Sequence, residues 1–370
     1  MKIEDICTRI CSGGTPKSGK AEYYENGTIP WLNTKEINFN RIQATETFIT
    51  EEGLNNSSAK WIKPHAVIVA MYGATAGRVA VAETPLTTNQ ACCNLEVDET
   101  IADYRYIYYW LKQNFDSIAG LANGGAQQNL SAKVIRQIEI NLPDLIKQRS
   151  IANFLDSFDS KIETNAKLNG YLEELCDALF LDFLEQADSS WHEGTLEELA
   201  EVKYGKNHKK LADGPYPVYG SGGFMRSAEK SLFSGESVLI PRKGSLNNVM
   251  YVNEAFWTVD TMFFTVPRIP GAAKFLYQYV KRLDLASMNS GSAVPSMTTS
   301  ILNALSLPVP PRDRLLSFNA KLQSMYDAVR ANNLENRRLE SLRDSLLPKL
   351  MSGEIDASKV DLTQLNSHLA

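Results

Sequence analysis

The chain has 370 residues, 44% hydrophobic and 22% charged, with 38 basic against 43 acidic side chains and a formal net charge of -5. This composition excludes a disordered or fibrous chain, and the length implies two globular domains of about 150 residues with connecting elements. The acidic balance leans against nucleic acid unless charge is segregated by face or partner subunits supply cations.

The first residues lack a basic stretch followed by an apolar one, and no window approaches the ~18 apolar residues of a membrane span, so a cytoplasmic protein without membrane contact is expected. The five cysteines include no C-x-x-C pair, and His65, His192, His208 and His368 are scattered. Neither a disulfide framework nor a metal site is expected.

In chain order, residues 1–142 read as an α+β module, with a short strand at 66–70, glycine-rich turns and a helix at 104–115. Residues 143–187 follow as a long helix opened by Pro143. A second α+β module spans 188–308, with a strand at 237–240 and a helix at 272–283. A second long helix occupies 309–352, opened by Pro310, and 353–370 form a tail.

The chain carries an internal repeat. The first long helix steps by 4 and 3 through Ile151, Leu155, Phe158, Ile162, Asn165, Asn169, Leu172, Cys176, Leu179 and Phe183. Moving 167 residues on, the interval from Pro143 to Pro310, meets Phe318, Leu322, Met325, Val329, Asn332, Asn336, Leu339, Arg343, Leu346 and Leu350. Alternating steps of 3 and 4 keep one stripe facing a partner helix, which is the seam of a coiled coil. Asn165, Asn169, Asn332 and Asn336 are polar seam residues and read as a registry device. At 1.5 Å per residue each helix would be about 60 Å long, the length of a spacer. The bland reading, two unrelated amphipathic helices, would have to reproduce both stripe and asparagines.

The repeat extends into the modules, where Gly73, Val81 and Asn89 match Gly244, Val252 and Asp260 at an offset of 171. Elsewhere the halves differ, as two readers of two different ligand sequences would.

Side chains with two-pronged hydrogen bonding read base edges, Arg on guanine and Asn or Gln on adenine. If the modules bind duplex DNA, the candidate contacts in the first are Lys17, Lys20, Asn33, Lys35, Tyr72, Arg78, Gln90, Gln127, Gln128 and Asn129. In the second they are Lys206, Tyr219, Ser221, Arg242, Lys243, Asn247 and Asn248. Arg242-Lys243-Gly244 is a basic turn whose glycine permits close backbone approach to phosphate. Taken singly each also reads as an ordinary solvated loop residue, the cluster Gln127-Gln128-Asn129 standing above that, and Phe256 and Trp257 read as core.

No catalytic residue is expected. Asn141-Leu142-Pro143-Asp144 lacks the second proline and aromatic of a methyltransferase motif, and Gly73 to Arg78 lacks a Walker lysine. Asp144, Asp159 and Lys161 could be drawn as a nuclease triad, yet they fall at or on a helix whose solvent face should be charged.

Module, long helix, module, long helix resembles the specificity subunits of Type I restriction-modification systems across essentially the whole chain. Gly13-Gly14-Thr15-Pro16, Ile29-Pro30-Trp31, Tyr72 to Arg78 and Thr88-Asn89-Gln90-Ala91 look like that family's target-recognition domain. Val218 to Gly223, Arg242-Lys243-Gly244-Ser245 and Phe256 to Thr261 are similar to another branch of it. The resemblance implies two target-recognition domains joined by two long helices in an antiparallel coiled coil, with a pseudo-two-fold relation. Each domain would read half of a bipartite site in double-stranded DNA. Two modification (methyltransferase) subunits and restriction (translocase/endonuclease) subunits would be partners, and S-adenosylmethionine, ATP and magnesium would belong to those partners alone. The competing readings are a reader subunit of another restriction-modification type and a coiled-coil scaffold whose modules bind protein.

Overall fold

The computed structural model describes residues 1–121, 129–288 and 296–359. The chain divides into two compact units, Met1–Thr164 with Glu335–Ala370, and Asn165–Leu334.

The first unit holds β1 (Cys7–Ser12), β2 (Ile29–Leu32), β3 (Asn40–Ile42), β4 (Thr47–Ile49), α1 (Glu51–Asn55), β5 (Trp61–Ile62), β6 (Val67–Ala70), β7 (Val79–Ala82), β8 (Leu86–Thr88) and β9 (Cys92–Val97). Then come α2 (Tyr104–Gln113), α3 (Phe115–Gly120), α4 (Ala132–Arg136) and the start of α5 (Leu145–Glu185). Its strands form two sheets, β1-β9-β6-β7-β3 and β4-β2-β8-β5. Val67-Ile68-Val69-Ala70 is a run without polar residues, as a strand covered on both faces requires. Val67 and Val69 pack with Tyr106, Ile107 and Phe158 of the helices. Ile68 and Ala70 face the other way, onto Leu32, Ala80 and Leu86. The helix expected at 104–115 ends at Gln113, and Phe115 opens the next one. Asp103 caps α2, its carboxylate accepting from the Arg105 N–H at 2.9 Å.

The second unit holds the rest of α5, then β10 (His192–Thr195), α6 (Leu196–Leu199), β11 (Ala200–Tyr204), β12 (Tyr216–Gly220), β13 (Gly223–Ala228), β14 (Phe233–Pro241), β15 (Met250–Thr258), β16 (Met262–Pro267), α7 (Ala272–Val280), α8 (Thr299–Asn303), β17 (Ser306–Val309) and the start of α9 (Arg312–Ser352). A six-stranded sheet runs β11-β16-β14-β15-β12-β13, beside the pair β10-β17. The alternation of β6 recurs 171 residues on. Val238 and Ile240 pack with Phe275 and Phe318 of the helices, while Leu239 faces Phe256 and Phe264.

Within each unit the two long helices run antiparallel. In the second unit, seven-residue steps forward along α5 meet seven-residue steps backward along α9. Asn332 donates to the Asn169 side-chain carbonyl at 2.8 Å, Cys176 Sγ lies 3.6 Å from Met325 Sδ, and Phe183 stacks on Phe318 at 4.3 Å between ring centroids. In the first unit, Asn336 donates to the Ile162 carbonyl at 3.5 Å, and Leu155 and Phe158 share a core with Leu339, Leu347 and Leu350. The seam departs from apolar at Arg343, which is ion-paired with Asp159. Asn165 is buried, and the Asn169 amide also donates to Asn333, which the sequence pattern did not single out, at 2.9 Å.

Polar groups fasten each module to its helices. Tyr109 of α2 donates its hydroxyl to Asp159 at 2.5 Å. Burial, followed by the Asp159 charge, pushes that hydroxyl well above the ordinary tyrosine pKa. In the second unit the fully buried Lys274 of α7 donates to Glu236, to Asn319 at 2.9 Å and to Gln323 at 2.9 Å. Its ammonium also lies 5.6 Å from the ring centroids of both Tyr251 and Tyr326. All three ammonium protons are engaged, which is the condition for burying a cation without prohibitive cost.

Candidate nucleic-acid interface

Both modules build one hydrogen-bonded frame. In the first, β2 runs parallel to β8 with Trp31 beside Thr87 and Leu32 beside Thr88. Gly14 N–H donates to the Thr88 carbonyl (2.9 Å), Asn89 N–H to Leu32 (3.0 Å), Met71 N–H to Ala91 (2.7 Å) and Leu130 N–H to Met71 (2.7 Å). The Trp31 indole donates to the Gly14 carbonyl at 2.9 Å.

The second module repeats these bonds with other residues. β12 runs parallel to β15, placing Val218 beside Trp257 and Tyr219 beside Thr258. Lys206 N–H donates to Thr258 (2.9 Å), Val259 N–H to Tyr219 (3.1 Å), Arg242 N–H to Thr261 (2.8 Å) and Met297 N–H to Arg242 (3.0 Å). The Trp257 indole donates to the Lys206 carbonyl at 2.8 Å. Isolated bridges join Tyr72 to Asn129 and Lys243 to Ser296.

Glycine is required at matching points. Gly73 and Gly244 have φ of 73° and 85°, in the left-handed region. A Cβ on Gly13 would lie 2.0 Å from the Thr88 carbonyl oxygen, and one on Gly205 2.0 Å from that of Val259. The frame therefore brings together, in each module, the segment after β1 or β11, the end of β2 or β12, the turn at Gly73 or Gly244 and the turn at Asn89 or Asp260.

On the first module's frame, Lys17 and Gln90 are exposed, and the Thr15 hydroxyl donates to Gln90. Lys20 is exposed and pairs with Glu22 at 3.2 Å. The Asn33 side chain accepts from Lys35 N–H at 3.2 Å, opening a short 3-10 helix. Lys35 pairs with Glu46 at 2.6 Å, and that hydrogen bond with the Glu46 charge raises its pKa. Arg78 donates to Asn38 at 2.9 Å. Tyr72 and Asn129 are exposed side by side, whereas Gln127 and Gln128 lie outside the described residues.

On the second, Lys206 and Lys243 are exposed, Ser221 and Arg242 half-buried. Arg242 lies 5.4 Å from the Tyr204 ring centroid and donates to the Asp260 carbonyl at 3.3 Å. One expectation, Tyr219, needs correction. Tyr219 is buried, with its hydroxyl donated to Glu254 at 2.6 Å, because its ring packs on the core side of the sheet, 6.4 Å between centroids from the buried Phe256. Asn247 donates to Asp284 at 3.1 Å and accepts from Ala286 N–H, and Asn248 donates to the Ser221 carbonyl at 2.7 Å. Those bonds fix loops, and both side chains remain exposed. Phe256 is core as expected, while Trp257 is half-buried and spends its N–H on Lys206.

Sequence reasoning passed over the exposed Tyr204, Phe224 and Met225. For Phe224 and Met225 the signal was present in Gly222-Gly223-Phe224-Met225, large apolar residues straight after a turn. Among the described residues, no three His, Cys, Asp or Glu side chains are grouped to hold a metal ion.

A duplicated frame with unlike polar loops defines a two-module recognition protein. The family model described as the Type I restriction modification DNA specificity domain matches the chain twice, over residues 1–174 and 188–342. The chain belongs to this family, as a DNA-specificity subunit of the Type I class and a non-catalytic recognition component. The Type I restriction enzyme MjaIX specificity subunit of Methanocaldococcus jannaschii is 26% identical over 96% of this chain and 92% of its own length. The EcoR124I/EcoR124II specificity subunit of Escherichia coli is 30% identical over 44% of this chain and 41% of its own. The crystal structure of a Type-I restriction-modification S subunit from M. genitalium has the same fold, with a TM-score of 0.60 at 21% identity over 95% of both chains.

Proposed function

We propose that each module reads one half of a bipartite site in double-stranded DNA, and that the two long helices set the gap between the halves. What carries this reading is the duplicated frame, which presents Tyr72, Arg78 and Gln90 in one module and Lys206, Arg242 and Lys243 in the other. A shared scaffold with different loops suits two readers of different sequences. Major-groove readers on one face of a duplex sit about 34 Å apart or a multiple of that, so helices of about 60 Å are long enough to act as a ruler. Asn169 with Asn332 and Asn333, together with Asn165 and Asn336, fixes the helical register and hence the gap.

Two modification subunits and the restriction subunits assemble on the chain in the cytoplasm. S-adenosylmethionine, ATP and magnesium serve those partners, and the partners' cations offset this chain's acidic balance. Among the described residues no helix is long and apolar enough to cross a membrane.

Methylome sequencing of a host expressing the chain with its cognate modification subunit tests the reading. The expected motif has two short parts with a fixed gap, and a continuous motif would count against it. Removing seven residues from the middle of both helices should shorten the gap and leave both parts unchanged.

A further inference from the structure

We propose that Phe224 and Met225 are the apolar base-contacting element of the second module, meeting the 5-methyl groups of thymines in the major groove of its half-site. This rests on the reading of the modules as DNA readers and names what one of them reads.

β12 and β13 form a hairpin around Ser221 and Gly222, and β13 is the edge strand of the six-stranded sheet. The register slips by one residue between Arg226, opposite Val218, and Phe224, opposite Tyr219, leaving Met225 as the extra residue of a β-bulge; Phe224 and Met225 are 55% and 54% exposed, so the hairpin end presents both side chains to solvent. An exposed edge carrying large apolar side chains invites aggregation unless a partner covers it.

Both side chains are seated. The Phe224 ring sits edge-on to Tyr219 at 6.4 Å between centroids, and Tyr219 is itself held by Glu254. The Met225 sulfur lies where Gly220 has no side chain, 2.5 Å from where a Cβ would stand.

Cations adjoin the hairpin. Asn248 donates to the Ser221 carbonyl at 2.7 Å, and a Cβ on Gly244 would lie 2.8 Å from Ser221 Oγ, so the turn bearing Arg242 and Lys243 abuts the hairpin turn. Apolar tips beside cations fit a ligand with an anionic rim and apolar points within it. Duplex DNA is such a ligand, its major groove admits a two-stranded β-ribbon, and phenylalanine contacts the thymine methyl there. Among the described residues the first module has no such hairpin, since β2 leads into the 3-10 helix at Thr34–Glu36 with Asn33 and Lys35. The two modules would then read by different chemistry.

The test uses the full chain assembled with its modification subunits and duplexes carrying the methylated motif, with uracil replacing thymine at one position at a time. That exchange removes only the methyl group. Wild type should lose about fourfold in affinity at one or more positions of one half-site. Phe224→Ala and Met225→Ala should bind the thymine duplex more weakly and no longer distinguish uracil there, with Phe224→Leu intermediate. Retention of the other half-site in the variants' methylomes certifies folding. The inference is overturned if wild type is indifferent to uracil throughout, if the half-site contains no A·T pair, or if the variants keep wild-type discrimination. Loss of assembly with the modification subunits would also overturn it, assigning the hairpin to a protein contact. A wild-type complex without sequence preference would instead sink the DNA-reading function itself.

Discussion

The Lys112 ammonium lies 3.6 Å from the Asp344 carboxylate, joining the helix of the first module to the C-terminal long helix. In the second unit, Lys281 just after α7 pairs with Asp177 of α5. Asp177 and Asp344 are separated by the 167-residue period of the helices, so the duplication preserves each module's tie to the long helix that follows the other module.

This tie gives a pH dependence. Burial alone would raise the Asp344 pKa, but the hydrogen bond from Arg343 and the Lys112 charge hold it below its ordinary 3.8. A depressed carboxylate stabilises the fold above its unfolded pKa, and the contribution is lost as pH falls through the lower folded value. Asp344→Asn should cost at most about 1 kcal/mol at neutral pH, given the exposure of the carboxylate, and less below pH 3.8. Urea denaturation at pH 7 and pH 3 measures the difference.

Lys274 is a fully buried charge held by Glu236, Asn319 and Gln323. Lys274→Met leaves Glu236 without its cation and should destabilise the second unit by about 3–5 kcal/mol. Adding Glu236→Gln should recover part of that loss in chemical denaturation of the full chain. An unchanged unfolding curve for the single variant would show that the cage contributes nothing.

The asparagine contact between the helices should behave as a registry device. Asn169→Ala removes the bonds to Asn332 and Asn333 and should cost about 1–3 kcal/mol. Replacing Asn169 and Asn332 together by Leu should raise the urea midpoint instead, while cysteine cross-linking along the seam becomes heterogeneous in register.

Gly13→Ala and Gly205→Ala should each unmake the frame of one module, since the added methyl would meet a backbone carbonyl at 2.0 Å. Each variant should lose recognition of a different half-site while the other persists. Competition binding with duplexes scrambled in one half reads this directly, and loss of the same half in both variants would contradict it.

Arg242→Ala and Lys243→Ala should weaken binding alike across sequences if these side chains meet phosphates. Each should lower the slope of log affinity against log salt by about 0.9. A changed methylation motif with an unaltered slope would mean that they read bases.

The sequence alone determined the duplication, the helical seam, the short strands at 66–70 and 237–240, and the glycines at 73 and 244. Each is a local pattern set by helical or strand period or by a backbone angle, and repetition at a fixed offset made it visible twice. Tertiary structure alone decided which polar side chains remain available. Tyr219 is packed inward against Phe256, Asn247 and Asn248 are engaged by Asp284 and Ser221, and Asn333 joins the seam beside Asn332. The same holds for Phe224 and Met225, whose exposure follows from β13 being an edge strand. Hydrogen-bond partners and sheet edges are set by chain segments distant in sequence, and no local period encodes them.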